Sequence, residues 1–339
     1  EMGIELKKGF SRLTDLFTRL TEILKDGMDG EVNIGITSNQ AEEWYPLFGS
    51  LLSRAQGNWE LWTAFTVEDP EDNPPMARWL TLAESGSLFD IEVNASPILA
   101  AEMLRRNLWN VAYGVLVTSA TLTALGTFDR FRMRAGLPKT AVTAVVPSPF
   151  HHADAGVLRV PDLKADPRDA TAHTAAIIRD LPALVEGSRG TLVLFSSRKQ
   201  MQDVFDGLER DWRKQVFIQG NLSKQETLNK HKARVDGGDS SVLFGLASFA
   251  EGVDLPGAYC EHVVIAKIPF SVPDDPVEAA LAEWIEARGG NPFMEISVPD
   301  ASLKLVQACG RLLRTEQDRG TITLLDRRLV TQRYGKAIL

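Results

Sequence analysis

From about residue 155 to residue 339 the sequence alternates short runs that are apolar on both faces with amphipathic stretches, and few folds accommodate that pattern. Thr191–Phe195, Val242–Leu246, His262–Ile265 and Thr321–Leu325 present almost no polar face to water, and Val216–Ile218 is a shorter run of the same kind. Strands of this sort must be covered above and below, which predicts a parallel sheet with helices on both sides. The intervening segments supply the helices. Ser196-Ser197 can cap a helix whose apolar face is Met201, Val204, Phe205 and Leu208, and Ser223 with Glu226 reads as a capping box. In such sheets ligands sit at the carboxyl ends of the strands, so functional groups are sought there.

The first half reads differently. Leu6, Phe10, Leu13, Phe17, Leu20 and Leu24 recur at helical spacing, followed by a second stripe at Trp44, Phe48, Leu51 and Leu52. Residues 66–75, TVEDPEDNPP, form an acidic, proline-rich linker. ARWLTLA (77–83) and LFDIEV (88–93) alternate like two short strands around Glu84-Ser85-Gly86-Ser87. Ser96-Pro97 reads as an N-cap and first helical residue, with Ile98, Leu99, Met103, Leu104 and Leu108 as the apolar face. Tyr113–Val117 is then expected to be a buried strand, ending in Thr118-Ser119-Ala120-Thr121.

Length and charge narrow the function. The 339 residues suffice for roughly two domains. The two cysteines, Cys260 and Cys309, form no CxxC pair, which excludes a disulfide framework or a four-cysteine metal site within the chain and fits a reducing compartment. No apolar run reaches the ~18 residues of a membrane span, and EMGIELKKGF is too charged for a secretory signal. The chain reads as a piece of a longer protein. Its net charge of −8 argues against a protein that coats nucleic acid through a broad basic surface. Residues 304–339 nevertheless carry eight basic side chains against three acidic ones, +5 on an otherwise acidic chain.

Three segments carry chemistry. In Gln307-Ala-Cys-Gly-Arg-Leu-Leu-Arg314, a helical projection places Gln307, Arg311 and Arg314 within about 60° of arc, with Leu305, Cys309 and Leu312 opposite. Paired arginines with no acid between them fit a shared polyanion such as a triphosphate, against the plainer reading of a surface helix. Gly310 beside them permits close backbone approach. After the strand at 242–246, Ser248, Glu251, Gly252 and Asp254 form a loop in which Gly252 lets the backbone approach a ligand. Its two acids could hold a ribose hydroxyl or a water, or orient the arginine pair, and an isolated EGxD is more often a solvated turn. Thr118 and Ser119 could relay hydrogen bonds from a strand end, although hydroxyls there are commonly caps.

The order TSATL, LVLFSSRKQM, SFAEGVD, QACGRLLR resembles motifs III, IV, V and VI of superfamily 2 helicases, and VLFGLASFAEGVDLPG, HVVIAKIPF and YGKAIL resemble the DinG family, relatives of the XPD helicase. The resemblance covers about residue 77 to the end. Residues 1–66 resemble by position part of the helical arch of such proteins. It implies an ATP-driven 5′-to-3′ DNA helicase with two RecA-like domains and ATP between them. Gln307, Arg311 and Arg314 would contact the γ-phosphate, Arg314 as arginine finger with Arg311 as the alternative. Glu251, Gly252 and Asp254 would link nucleotide state to DNA grip, and Ser119 would couple the domains. Ser197, Arg198, Gln219, Asn221 and Ser248 would contact DNA phosphates, each serving equally well as a cap.

The departures are specific. The chain has no GxxxxGK loop followed by Ser or Thr and no Asp-Glu dipeptide, so the phosphate cradle and the magnesium carboxylate are missing. The family's 4Fe-4S cluster needs four cysteines. The fold expected is therefore α/β: an arch-like helical segment (1–76), the end of motor domain 1 with motif III (77–150), and a RecA-like motor domain 2 with motifs IV–VI (151–339). Residues 77–150 are expected to pack less well than 151–339, or to be completed by another chain. ATP and Mg²⁺ would be shared with a first motor domain, and the fragment alone would be inactive. The implied partners are single-stranded DNA, forked or D-loop duplexes and RNA–DNA hybrids, with no membrane, for a monomer in the bacterial cytoplasm at the nucleoid. The competing readings are a non-catalytic nucleic-acid-binding or partner-binding module with the same fold, and a self-contained phosphate-handling enzyme.

Overall fold

The computed structural model describes residues 1–29, 35–70, 73–85, 88–148, 152–246, 249, 252–271 and 274–339. The chain packs as two units, Glu1–Ala100 with Pro273–Gly289 and Ala101–Val272 with Gly290–Leu339.

In the first unit, α1 (Met2–Met28) and α2 (Ser38–Thr66) form an antiparallel pair. The two predicted stripes meet, with Phe17 and Phe48 ring centroids 6.3 Å apart. Thr37 caps α2 through a full capping box with Gln40. The hairpin of β1 (Met76–Ser85) and β2 (Leu88–Pro97) pairs antiparallel throughout, from Met76 opposite Pro97 to Ser85 opposite Leu88. Ser96 and Pro97 therefore finish a strand rather than start a helix. Their partners on β1 hold them extended, and the next helix begins at Ala101. Helix Pro276–Ala287, remote in sequence, belongs to this unit and packs on β1.

The second unit is built on six parallel strands: β3 (Gly156–Arg159), β4 (Gly190–Phe195), β5 (Val216–Ile218), β6 (Ser241–Leu246), β7 (His262–Ile265) and β8 (Gly320–Leu324). Their spatial order is β3-β8-β7-β4-β6-β5. Both faces are buried. Val193, Phe195, Phe244 and Val264 pack with Ile177, Leu181, Met201 and Val204 of the helices Ala170–Leu184 and Arg198–Gly207. Leu192, Leu194, Leu243 and Val263 pack with Ala301, Leu305 and Ala308 of the helix Val298–Cys309. Neighbouring residues on β4 such as Leu192 and Val193 are both fully buried, which is why the strands lack alternation.

Three buried histidines tie this unit together. His173 Nε2 donates to the Leu325 carbonyl at 2.8 Å, and its Nδ1 accepts from Gln200 at 3.2 Å. His231 Nε2 donates to Tyr259 O at 2.7 Å, and His262 shares a 2.8 Å bond with Thr323. Burial pushes all three below the ordinary imidazole range, His262 to about 4.

Tyr113–Val117 is not a strand. The segment is irregular, and Tyr113 and Leu116 are almost wholly exposed. Its hydropathy fits a central strand, but among the described residues no neighbouring strand pairs with it. Val142, Val145 and Val146 are similarly exposed.

Candidate nucleotide and nucleic-acid site

The helix carrying Gln307 stops sooner than the sequence predicts. It ends at Cys309, with Gly310 as its C-cap and its amide bonded to the Val306 carbonyl. Arg311 and Arg314 thus lie on a turn after the helix, not on its face. The cause is Asp318, which is buried and accepts from Arg314 N at 2.7 Å, Thr315 N at 2.8 Å, Thr315 Oγ1 at 2.8 Å and Gly257 N at 3.1 Å. Those backbone amides are lost to helical bonding. Burial alone would raise the Asp318 carboxyl, but these donors outweigh it and hold it below its ordinary value. Leu312 is buried as the sequence reading requires, and pins the turn to the sheet.

The turn still brings the two guanidiniums to one point. Arg314 Nη2 donates to the Val253 carbonyl at 2.7 Å, and Arg311 Nη1 reaches the same oxygen at 3.4 Å. Arg314 Nε lies 3.5 Å from a carboxylate oxygen of Asp254. Val253 and Leu255 are buried and fix this loop, while Asp254 between them is exposed. Gly252 sits at φ +68°, a left-handed conformation that a side chain would strain. Gly252, Asp254, Arg311 and Arg314 are therefore one cluster. Arg314 Nε is buried and makes no hydrogen bond. Two cationic forks sharing one carbonyl, with one N–H unspent, fit an anion with several oxygens. Glu251 and Ser248 lie outside the described residues.

Gln307 does not join the arginines. It is exposed, and its Nε2 donates to Thr121 Oγ1 at 3.4 Å. Ser119 turns inward on its own segment, its hydroxyl accepting from Thr121 N at 3.3 Å. Thr118 and Ser119 line a cavity of about 1000 Å³ whose other walls include Leu305, Val306, Cys309 and Gly310. The TSAT segment thus meets the 298–309 helix through Gln307 and this cavity.

The third group lies at the carboxyl edge of the sheet. Ser197 caps the helix Arg198–Gly207, and Arg198 is exposed. On the loop after β5, Gln219 Oε1 accepts from Leu246 N at 2.8 Å, extending the sheet edge, and Asn221 is exposed. A Cβ placed on Gly220 would lie 3.7 Å from Arg198 Nη1, so the ends of β4 and β5 present their polar groups together.

Asp318 is the residue that sequence reading missed. It was visible only as one acid in a basic stretch. The turn-like TEQDRG around it was the available signal. No set of three or more metal-ligating side chains occurs among the described residues. Cys260 is buried and Cys309 half-buried, and burial raises their thiols to about 12 and about 11. No helix among the described residues is long and apolar enough to cross a membrane.

A parallel sheet buried on both faces, with polar loops at its carboxyl edge, is a RecA-like α/β fold. Residues 181–339 match the family described as helicase C-terminal domain. The chain is 38% identical over 338 residues to the ATP-dependent DNA helicase DinG of Photobacterium profundum, covering 98% of this chain and 48% of that one. It is 31% identical over 346 residues to the ATP-dependent DNA helicase DinG of Escherichia coli (strain K12), covering 99% and 47%. A solved XPD helicase shares the fold with a TM-score of 0.57 at 14% identity, over 90% of this chain and 55% of that one. The chain is similar to these helicases over nearly its whole length, carries the helicase C-terminal domain match over residues 181–339, and spans about half the length of the curated relatives it matches.

Proposed function

We propose that this chain is the second motor portion of an ATP-dependent 5′-to-3′ DNA helicase, with residues 1–76 as an arch-like segment and 77–150 as the end of motor domain 1. The observation that carries the reading is the convergence of Arg311 and Arg314 on the Val253 carbonyl, with Arg314 Nε left without a hydrogen bond. Arg314 serves as the finger that neutralises charge on the transferred phosphoryl group, with Arg311 beside it. Val253 stands between Gly252 and Asp254, so moving Arg314 from the carbonyl to a phosphate releases the loop after β6. That loop, with Glu251 and Ser248, links nucleotide state to DNA grip. Gln307, Gly310, Thr118 and Ser119 couple the TSAT segment to the arginine turn. Ser197, Arg198, Gln219, Asn221 and Ser248 contact phosphates of single-stranded DNA.

ATP and Mg²⁺ are held chiefly by residues outside this chain, as is any 4Fe-4S cluster. Names of the relatives support DNA as partner. Forked or D-loop duplexes and RNA–DNA hybrids are the substrates proposed, for a monomer acting on bacterial DNA in the cytoplasm. In the complete protein, ATP turnover should rise at least tenfold with single-stranded DNA, and the 339-residue chain alone should show none. Robust turnover by the chain alone, or none by the complete protein, would overturn the reading.

A further inference from the structure

Lys267 is used by nothing described so far. It follows β7, which pairs parallel with β4 with Leu194 opposite Ile265, and Ala266 N bonds to Leu194 O at 2.9 Å. Lys267 therefore leaves β7 at the end of the sheet where the Ser197–Arg198 cap leaves β4. Lys267 thus stands at the same carboxyl edge as the loops after β4, β6 and β5, the next three strands in the sheet. At ~4.8 Å between strands the row spans about 14 Å.

The ammonium there is only partly compensated, by the nearby Asp326 carboxylate. Lys267 is half-buried and makes no hydrogen bond or ion pair with any described residue. Asp326 is the carboxylate that faces it, and its oxygens are taken. One accepts from Arg328 N at 3.0 Å and Arg328 Nε at 2.9 Å, the other from Arg328 Nη2 at 2.6 Å and Ile268 N at 3.0 Å. Arg328 is a second cation nearby, stacked 5.7 Å over Phe270. Burial and then Arg328 push the Lys267 ammonium below its ordinary range, with Asp326 only partly opposing. A structural lysine would be paired or extended into water. Along the row the other cation, Arg198, is also without a hydrogen bond to a described residue.

We propose that Lys267 binds a backbone phosphate of single-stranded nucleic acid lying across the carboxyl edge of the sheet, extending the row of Asn221, Gln219, Arg198 and Ser197 by one strand. This rests on the helicase reading and adds a phosphate contact to it. A phosphate supplies the missing counter-charge, needs no base recognition, and is reached by a point charge on a flexible stem. The contact adds affinity without sequence preference.

The test is equilibrium binding of a fluorescent oligo-dT to the complete protein across a sodium chloride series. Lys267→Met should weaken binding about fivefold to tenfold at low salt and reduce the slope of log affinity against log salt by about 0.7. Lys267→Arg should restore both, and ATP binding without DNA should not change. Because an unpaired cation is removed, the melting temperature of Lys267→Met should hold or rise. Lys267→Gln repeats the test should the methionine variant fold poorly. Wild-type affinity and slope in either neutral variant would overturn the proposal while leaving the helicase reading intact. So would a lower melting temperature with an unchanged slope. A wild-type protein that binds no oligo-dT would remove the helicase reading, and this proposal with it.

Discussion

Replacing Arg314 with alanine in the complete protein should lower ATP turnover by about 10³-fold or more, with ATP affinity changed by no more than a few-fold. Arg314 reaches its position through a backbone amide fixed on Asp318 and a guanidinium resting on the Val253 carbonyl at 2.7 Å. A group so placed contributes to the charge that develops as the phosphoryl group leaves, more than to ground-state binding, which the phosphate cradle provides elsewhere. Lysine should not substitute, because one ammonium cannot replace a planar fork. Steady-state turnover with a separate nucleotide-binding assay makes the measurement. Turnover within threefold of wild type would assign the role to Arg311, whose Nη1 touches the same carbonyl at 3.4 Å.

Asp318→Ala should destabilise the second unit by on the order of 3 kcal/mol and reduce ATP turnover as well. The carboxylate is 6% exposed and accepts four hydrogen bonds, three of them from backbone amides of Arg314, Thr315 and Gly257. Alanine leaves those amides unsatisfied beneath the surface. It also frees the turn to continue the 298–309 helix, swinging Arg314 away from Val253. Asp318→Asn should cost less stability, since one amide oxygen still accepts, but its NH₂ opposes the donors facing it. Denaturant unfolding gives the first effect and ATP turnover the second. Wild-type stability and turnover in Asp318→Ala would show that the turn holds itself.

The sheet was legible because its strands are apolar on both faces. Val216–Ile218 and His262–Ile265 fall where the sequence places them, and β4, β6 and β8 within one residue. The same criterion failed at Tyr113–Val117, since hydropathy records what a segment can pair with, not whether a neighbour is present. A helical projection brought Arg311 and Arg314 together for the wrong reason. They converge because Asp318 and Gly310 end the helix and a turn folds both onto Val253. The bonds to Val253 join positions 58 and 61 apart, which no helical periodicity records. Helix Pro276–Ala287 is absent from the sequence reading, and only tertiary packing assigns it to the unit of the β1–β2 hairpin.

The most direct measurement is the position of the Arg314 guanidinium in a structure of the complete protein trapped with a phosphoryl-transfer transition-state mimic. The guanidinium is expected to have left the Val253 carbonyl and to lie about 2.7–3.1 Å from an oxygen of the transferred group. A guanidinium still seated on Val253, with the nucleotide bound and no other arginine of this chain in reach of it, would contradict the central claim.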